Sequence, residues 1–192
     1  DSNLKIYVYR DNFSSIPEIE GTGSREDPWI IKNKIIDGQN EGNCILIEDC
    51  KDYFIIQNCT AYNSSRGSAG IDLYNKNAGI KLDNTTNGLL INNTCKSSGK
   101  DGNMYYGMGI LLIDSENINI TNNVLLENEY GIGISRKSKN NQIFGNYINL
   151  DDQQNSKGIT IDGYLSSSLC QNNSVHNNIV HDCWAGVYIK DC

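Results

Sequence analysis

The chain has 192 residues, enough for one large domain or for a solenoid of several turns. Its 16 basic and 23 acidic side chains give a net charge of −7, and it lacks the basic stripe that binds a phosphate backbone. These numbers argue against nucleic-acid binding. No apolar run approaches the ~18 residues of a membrane-spanning helix, so we expect no membrane span.

The first 27 residues differ from the rest of the chain. Leu4–Tyr9 alternates in side-chain polarity, which predicts a strand, and a polar stretch with Gly21-Thr-Gly23 then leads to Asp27-Pro-Trp29. A solenoid has to cover the unpaired strand edges at its ends. We therefore interpret residues 1–27 as an N-terminal strand and cap, and residues 28–192 as repeats.

A short motif, a glycine followed by an alternating apolar strand, returns along the rest of the chain. Its clearest copy, Gly109–Ser135, holds one strand, a polar corner, two further short strands and the next Gly-Ile. Successive glycines lie 22 to 37 residues apart, and a recurring period of this size is typical of a solenoid. The copies start at Gly42, Gly79, Gly109, Gly131, Gly158 and Gly186.

Three short alternating strands per repeat predict an all-β fold, a right-handed parallel β-helix of about six coils. In such a fold alternate side chains fill the lumen, and successive coils hydrogen-bond at ~4.8 Å. The second strand of each coil ends at an asparagine, and asparagines stacked at one corner can form a ladder. The alternative for this column is a polar binding row. Its members are Asn58, Asn93, Asn123, Asn146 and Asn178.

Two other folds explain the pattern less well. A leucine-rich repeat requires a fixed leucine pattern and often a helix in each repeat, and no window of the chain has convincing helical periodicity. An antiparallel β-sandwich does not explain why Gly-Ile recurs with the same sequel.

Several segments resemble the NosD-type right-handed β-helix repeat family. They are Asp27-Pro-Trp-Ile-Ile31, Cys44–Ile47, Tyr53–Cys59 and the Gly-Ile-x-Ile strands. The resemblance covers roughly residues 20–192 and implies the β-helix fold in a surface or periplasmic protein. The family includes copper-site assembly proteins, polysaccharide lyases and epimerases, and surface-layer or adhesin-like proteins, so the resemblance implies a fold rather than an activity.

Insertions fall at one corner, between the third strand of a coil and the next glycine. They are Ala61–Asn77, Ser97–Tyr106 and Asp151–Lys157, and they predict loops along one edge. Rings stacked along that edge suit the apolar faces of sugars, and aspartates accept hydrogen bonds from hydroxyl groups. The alternative is that the rings shield the corner. The predicted ligand-binding residues are Tyr105, Tyr106, Tyr130, Trp184, Asp101 and Asp152.

A column of aspartates follows the first strand of each coil. Stacked carboxylates repel unless a cation lies between them, and calcium prefers oxygen ligands. Asp83, Asp114 and Asp162 are therefore calcium candidates, and apart from that ion we expect no cofactor. The simpler interpretation is that each aspartate caps its own turn and faces water. The full column is Asp49, Asp83, Asp114, Asp162 and Asp191.

The sequence contains one weak set of candidate catalytic residues. A polysaccharide lyase uses acidic residues around calcium and a basic side chain facing the sugar. Arg136 and Lys137, with Asp114 and Asp162 in neighbouring coils, provide the nearest match. A solvated turn explains the same residues. Asp151-Asp152 is a carboxylate pair of the kind glycosidases use, but adjacent loop aspartates are common.

Copper handling is a further enzyme-related interpretation. Soft metals bind Cys, Met and His. His176, His181 and Cys183 lie close in sequence, as do Met104 and Met108, but His181-Asp-Cys183 lacks an established ligand spacing.

The seven cysteines cannot all pair within one chain. Cys59 and Cys95 fall near one corner of successive coils, where they suit either a small buried apolar residue or a disulfide. Cys183 and Cys192 are a second candidate pair. Such crosslinks would limit fraying of an extracellular solenoid.

Sequons for N-glycosylation are numerous, although many arise by chance in an asparagine-rich chain. They fit an extracellular or cell-surface glycoprotein. The candidate acceptors are Asn12, Asn63, Asn84, Asn119 and Asn172.

These observations favour a non-enzymatic surface module that presents one looped, aromatic edge to a glycan or a surface protein. A polysaccharide lyase or epimerase acting on acidic glycans is the alternative, and a NosD-like copper-site maturation protein is the second. Because residues 186–192 stop inside a repeat, we expect further coils or another subunit to cover that end.

Overall fold

The computed structural model describes residues 4–67, 73–101, 104–163 and 169–192. These residues contain many short strands and two 3₁₀ turns, Asn12–Ser15 and Leu73–Asn75. None of their helices is long and apolar enough to cross a membrane. In chain order the strands are β1 (Ile6–Tyr9), β2 (Trp29–Lys32), β3 (Ile35–Asp37), β4 (Ile45–Glu48), β5 (Phe54–Gln57), β6 (Thr60–Tyr62), β7 (Ala78–Asp83), β8 (Gly88–Ile91), β9 (Thr94–Lys96), β10 (Lys100–Asp101), β11 (Met104–Tyr105), β12 (Met108–Ile113), β13 (Asn119–Thr121), β14 (Val124–Leu126), β15 (Tyr130–Ser135), β16 (Gln142–Phe144), β17 (Tyr147–Asp162), β18 (Ser174–His176) and β19 (Ile179–Lys190).

Apart from the antiparallel pair of β10 and β11, the strands form three parallel faces, one face for each strand position in a coil. The front sheet contains β1, β4, β7, β12, β15 and the last six residues of β17 and β19. The second sheet runs β2, β5, β8, β13, β16, β18. The third face contains β3, β6, β9, β14 and the first residues of β17 and β19, which bend from this face into the front sheet. The chain is a right-handed parallel β-helix, so the predicted fold is confirmed.

Two columns of apolar side chains fill the lumen behind the front sheet. The period-two alternation of each strand turns these residues inward, and none is more than 8% exposed. Burying each side chain stabilises the fold by about 1.5–3 kcal/mol. The columns are Ile6, Ile45, Ile80, Ile110, Ile132, Ile159 and Val8, Ile47, Leu82, Leu112, Ile134, Ile161.

The N-terminal segment packs against the apolar core. Because β1 pairs in parallel with β4, the predicted strand at Leu4–Tyr9 is itself the first strand of the front sheet. The segment after it buries Phe13, whose ring stacks 5.8 Å from the rings of both Trp29 and Phe54. Ile16 and Ile19 also pack against the core.

The predicted asparagine ladder forms at the corner after the second sheet. Asn93 donates its amide to Asn123, Asn123 to Asn146, and Asn146 to Asn178, at 2.9–3.0 Å. Each of these side-chain oxygens also accepts the main-chain N–H of the residue one coil earlier, for example Asn93 N to Asn123 Oδ1 at 2.9 Å. The ladder thus satisfies main-chain groups that burial would otherwise leave without partners.

The prediction that Asn58 belongs to the ladder is wrong. It lies one position too early, and Cys59 takes the ladder position, where its N–H donates to Asn93 Oδ1. The row that contains Asn58 instead adopts left-handed backbone, which asparagine and glycine tolerate. The row is Asn33, Asn58, Asn92, Asn122, Gly145 and Asn177, with φ between 53° and 68°.

We predict that Asn123→Ala lowers the free energy of unfolding by about 2–4 kcal/mol, since it leaves several buried donors and acceptors without hydrogen-bond partners. The Asn123 amide donates to Leu90 O, Thr121 O and Asn146 Oδ1 and is fully buried. Urea denaturation measures the change. The matched control is Asn119→Ala, an exposed asparagine in the same coil, which should stay within about 0.5 kcal/mol of wild type. Equal losses in both variants would show that the ladder adds nothing.

Candidate functional site

The solvent side of the front sheet, called the outer face, carries three columns of outward side chains from β12 to β19. One column runs Met108, Tyr130, Lys157, Ala185; the next runs Leu111, Gly133, Thr160, Tyr188; the third runs Ile113, Ser135, Asp162, Lys190. The columns change from apolar on β12 to polar and aromatic on β17 and β19. This change divides the outer face into a covered part and an open part.

Leu73, which belongs to the predicted loop Ala61–Asn77, covers the apolar part. Leu73, only 2% exposed, forms a second apolar cluster with Met108, Leu111, Tyr130 and two further residues of the front sheet. This predicted loop therefore folds back onto the sheet. A Cβ at Gly133 would lie 2.2 Å from the Cε atom of Met108, so a larger residue there would make the Met108 side chain shift.

A buried ion pair fastens the end of the insertion to β15. Lys76 Nζ lies 2.6 Å from Glu129 Oε2, and the two side chains are 5% and 16% exposed. The same ammonium donates to Tyr106 O at 3.3 Å and lies 5.3 Å from the Tyr130 ring centroid. The pair fixes Tyr130 at the boundary between the covered and open parts of the outer face.

Three aromatic rings surround Lys157 on the open part, and we call the four residues the Lys157 cluster. Lys157 Nζ lies 4.6 Å from the ring centroid of Tyr130, 4.9 Å from that of Tyr188 and 5.8 Å from that of Trp184. It also lies 3.3 Å from Tyr130 Oη. Trp184 is 63% exposed and tilts 51° from Tyr188, with their ring centroids 6.4 Å apart. The arrangement combines a cation with an exposed aromatic wall.

Burial shifts the two titratable groups at the centre of this cluster. It lowers the pKa of Lys157 from 10.5; the Glu129 carboxylate opposes that shift, and the Lys76 ammonium adds to it. Burial, reinforced by Glu129, raises the pKa of Tyr130 above 10. Tyr130 therefore remains a protonated hydroxyl at neutral pH.

A cavity of about 90 Å³ opens beside the cluster. Thr160, 2% exposed, lies against it, and its hydroxyl has no hydrogen-bond partner among the described residues. The space is that of about three waters in the liquid, or of a single small polar substituent. The polar and aromatic lining residues are Tyr130, Lys157, Thr160, Asp162, Tyr188 and Lys190.

The structure brings part of the predicted aromatic edge together. Tyr130 and Trp184 meet at Lys157, whereas the Tyr106 ring stacks on Arg66, whose Cζ lies 4.5 Å from its centroid. The side chains of Tyr105, Asp101 and Asp152 lie outside the described part of the structure.

Sequence reasoning missed Lys157, Thr160, Tyr188 and Lys190. Their signal was the alternation itself: Thr160 and Tyr188 occupy the middle, outward position of Gly-Ile-Thr-Ile and Gly-Val-Tyr-Ile. Lys157 precedes the first of these glycines, and Lys190 ends the second strand.

The predicted aspartate column is not a single column. Asp83 lies opposite Ile113, and Asp162 lies opposite Ser135, so these carboxylates are three coils apart. Asp114 falls in the next row because it follows its glycine by five residues rather than four. Within residues 4–67, 73–101, 104–163 and 169–192, no group of three or more His, Cys, Asp or Glu is placed to hold a metal.

The residues proposed for lyase chemistry meet at a turn. The Arg136 guanidinium lies 3.5 Å from Asp114 Oδ2, and the main-chain N–H of Lys137 donates to Asp114 Oδ1 at 3.3 Å. Arg136 also stacks on Tyr74, with its Cζ 3.4 Å from the ring centroid. Asp162 contributes its carbonyl, which accepts from Arg136 N at 3.2 Å. Asp114 and Arg136 thus have structural partners.

The proposed copper ligands are spread over different faces. His176 stacks on Phe144 at 5.3 Å on the second sheet, and His181 contacts Tyr147 at 5.6 Å on the third face. Met108 is buried beneath the insertion. The side chain of Met104 lies outside the described residues.

The register does not stack the predicted cysteine pairs. Cys95 lies opposite Ala61, two residues from Cys59, and both thiols are buried. Cys183 and Cys192 lie at opposite ends of the segment Ala185–Lys190, which spans about 20 Å at 3.3 Å per residue, beyond the reach of a disulfide. All seven cysteines are described, and none forms a disulfide.

The candidate glycosylation sites differ in accessibility. Asn63 is half-buried and donates to Asp37 Oδ1 at 3.1 Å. The other four are exposed: Asn12, Asn84, Asn119 and Asn172. Their use as acceptors stays a prediction.

The fold and the outer face define the protein as a parallel β-helix with a cavity on its front sheet that is lined in part by aromatic side chains. Residues 18–168 match the family model described as a right handed beta helix region. The chain belongs to that family. No curated protein and no solved structure matches it.

We predict that Glu129→Ala lowers the free energy of unfolding by about 3 kcal/mol, because it leaves the Lys76 ammonium buried without its counter-ion. The matched control is Glu116→Ala, which breaks a surface pair with Lys139 whose side chains are 31% and 49% exposed. That change should cost at most about 1 kcal/mol. Thermal and urea unfolding measure both. Similar small losses would mean that the Lys76–Glu129 pair does not anchor the insertion.

Proposed function

We propose that this protein is a non-enzymatic β-helix module that binds a glycan on the open part of its outer face. The observation that carries the proposal is Thr160, which lines the 90 Å³ cavity and whose buried hydroxyl has no hydrogen-bond partner among the described residues. A buried hydroxyl without a hydrogen bond costs about 1–3 kcal/mol, which a ligand group in the cavity would recover.

The size of the cavity supports recognition of a substituent rather than of a whole ligand. Pockets for drug-sized molecules occupy about 300–1,000 Å³. A cavity of about 90 Å³ takes one exocyclic group, such as a hydroxymethyl or a carboxylate. The ammonium groups of Lys157 and Lys190 and the carboxylate of Asp162 line it and can bond either kind.

The exposed rings support a sugar as the source of that group. Trp184, 63% exposed, and the half-buried Tyr188 lie beside the cavity, and the planes of their rings are 51° apart. Pyranose rings present apolar C–H faces that pack on aromatic rings, while their hydroxyls reach adjacent polar groups. A rigid wall of this kind binds with little loss of side-chain entropy.

The contacts of the charged groups favour binding over turnover. Lys157 is held among three rings and a tyrosine hydroxyl, and Arg136 is held by Tyr74 and Asp114. A catalytic base has to reach the proton that it removes. These contacts favour a binding role for Lys157 and Arg136.

We place the module outside the cell or at its surface, with a glycan or a surface protein as partner. The exposed sequon residues Asn12, Asn84, Asn119 and Asn172 support this setting.

We predict that a glycan array, probed with and without calcium, identifies a ligand whose affinity falls 10- to 100-fold in Trp184→Ala, because stacking on the ring is lost. Thr160→Val keeps the shape, removes the hydroxyl and should lower affinity about tenfold. Isothermal titration calorimetry measures each variant.

The matched control is Tyr147→Ala, an aromatic residue 38% exposed on the third face, which should bind like wild type. No ligand on the array, or a ligand that Trp184→Ala binds as tightly as wild type, would overturn the proposal.

A lyase acting on acidic glycans has one observation in its favour. The Lys157 amine, whose pKa burial lowers, lies 3.3 Å from the Tyr130 hydroxyl, a geometry that suits a base and an acid acting in one elimination. Incubation with uronate polysaccharides, with and without calcium, tests this by the ultraviolet absorbance of the unsaturated product. Product from wild type but not from Lys157→Met would favour the lyase over the binding module.

A further inference from the structure

A column of small polar side chains closes the corner after the front sheet. The Thr85 hydroxyl bonds to Ile47 O of the preceding coil at 3.2 Å and to Asp83 O of its own coil at 3.0 Å. Ser115 repeats this with Leu82 O and Ile113 O, at 3.4 and 2.7 Å. These carbonyls belong to the same two columns of the front sheet.

Cys170 and Cys192 occupy the same position on the last two coils. The Cys170 thiol lies 3.8 Å from both Ile134 O and Asp162 O, and the Cys192 thiol lies 3.8 Å from Ile161 O and 3.3 Å from Lys190 O. These carbonyls continue the two columns that hold Thr85 and Ser115. The two cysteines are therefore stacked one coil apart.

This stacking places the thiols within disulfide reach. Adjacent strands lie about 4.8 Å apart, inside the 4.4–6.8 Å range of Cα separations in disulfides. The Cys192 thiol is also close enough to contribute to the raised pKa of the Cys170 thiol. Among the described residues, this contact differs from both pairs that the sequence suggested.

The two thiols differ in reactivity. Burial, followed by the neighbouring Cys192 thiol and the Asp162 carboxylate, raises the pKa of Cys170 to about 12. Cys170 is 7% exposed, whereas Cys192 is exposed to solvent. Cys192 is thus the more accessible of the two thiols in the 192-residue chain.

We propose that Cys170 and Cys192 are a reversible disulfide site that crosslinks the last two coils when a low-molecular-weight disulfide such as oxidised glutathione is present. The Cys192 thiolate attacks one glutathione sulfur, forms a mixed disulfide and releases one glutathione thiolate. The Cys170 thiol loses its proton to water, attacks the Cys192 sulfur and releases the second. One S–S bond forms in the protein, one breaks in glutathione, and the two thiol protons pass through water to the two released glutathione thiolates.

The crosslink joins the residues that follow β17 and β19, and so adds a covalent bond to the hydrogen bonds between these strands. It closes a loop of 22 residues and restricts the unfolded chain, which should raise the melting temperature by roughly 5–10 °C.

Peptide mapping by mass spectrometry without reduction tests the site, after the full 192-residue chain is equilibrated in a glutathione redox buffer. We expect one intramolecular crosslinked peptide, Cys170 to Cys192, and a higher melting temperature than in the reduced protein. Cys192→Ser and Cys170→Ser should lose both effects. Serine at 170 should fold normally, because Ser115 and Ser138 hold the same position on other coils.

Cys183→Ser is the matched control and should keep the crosslink and the shift. A Cys183–Cys192 peptide, a mixed disulfide at Cys192 that never closes, or an equal thermal shift in Cys192→Ser would overturn the proposal.

Discussion

The structure depends on side chains that hydrogen-bond to the main chain at the corners of each coil. A solenoid with three short strands per turn bends its backbone three times per coil, and each bend turns N–H and C=O groups away from the sheets. The asparagine ladder at Asn93, Asn123 and Asn146 and the hydroxyl column at Thr85 and Ser115 satisfy these groups one coil at a time. Because each rung accepts from one coil and donates to another, the corners transmit register along the molecule.

Fixed register gives the outer face its chemistry. Lumen packing determines which residues point inward, and the alternation of each strand then determines which residues point outward. Thr160 and Tyr188 are adjacent because Ile159 and Val187 are stacked behind them. The insertion then selects which part of this face meets solvent, since Leu73 packs over Met108 and Leu111 and leaves the Lys157 cluster open. A rigid lumen and one folded-back loop are sufficient to create the cavity.

The sequence predicted the fold because its signals are local and repeated. The Gly-Ile openings, the alternation and the asparagine at each corner each act within one coil. Signals that depend on exact register were less accurate. Asp114 follows its glycine by one residue more than Asp83 does, and Asn58 precedes the ladder position by one, so the aspartate and asparagine columns predicted from the sequence were each out of register by one residue. The Lys157 cluster draws on three coils, and the fold of the insertion over β12 has no periodic signature, so pattern alone could not locate the site.

Since most buried polar groups at the corners are hydrogen-bonded, the buried side-chain atoms without a hydrogen bond need an explanation. Most buried side chains of the ladders have partners on two sides, whereas five buried side-chain atoms of the described residues have none. Arg136 Nε, one of these five, lies under a stacked ring that compensates the guanidinium in another way. Thr160 Oγ1 has no such compensation, and Thr160 lines a cavity whose other lining residues include charged and aromatic side chains. In a fold that satisfies its buried polar groups by repetition, the ligand that we propose for this cavity would supply the hydrogen bond that the corners and sheets do not.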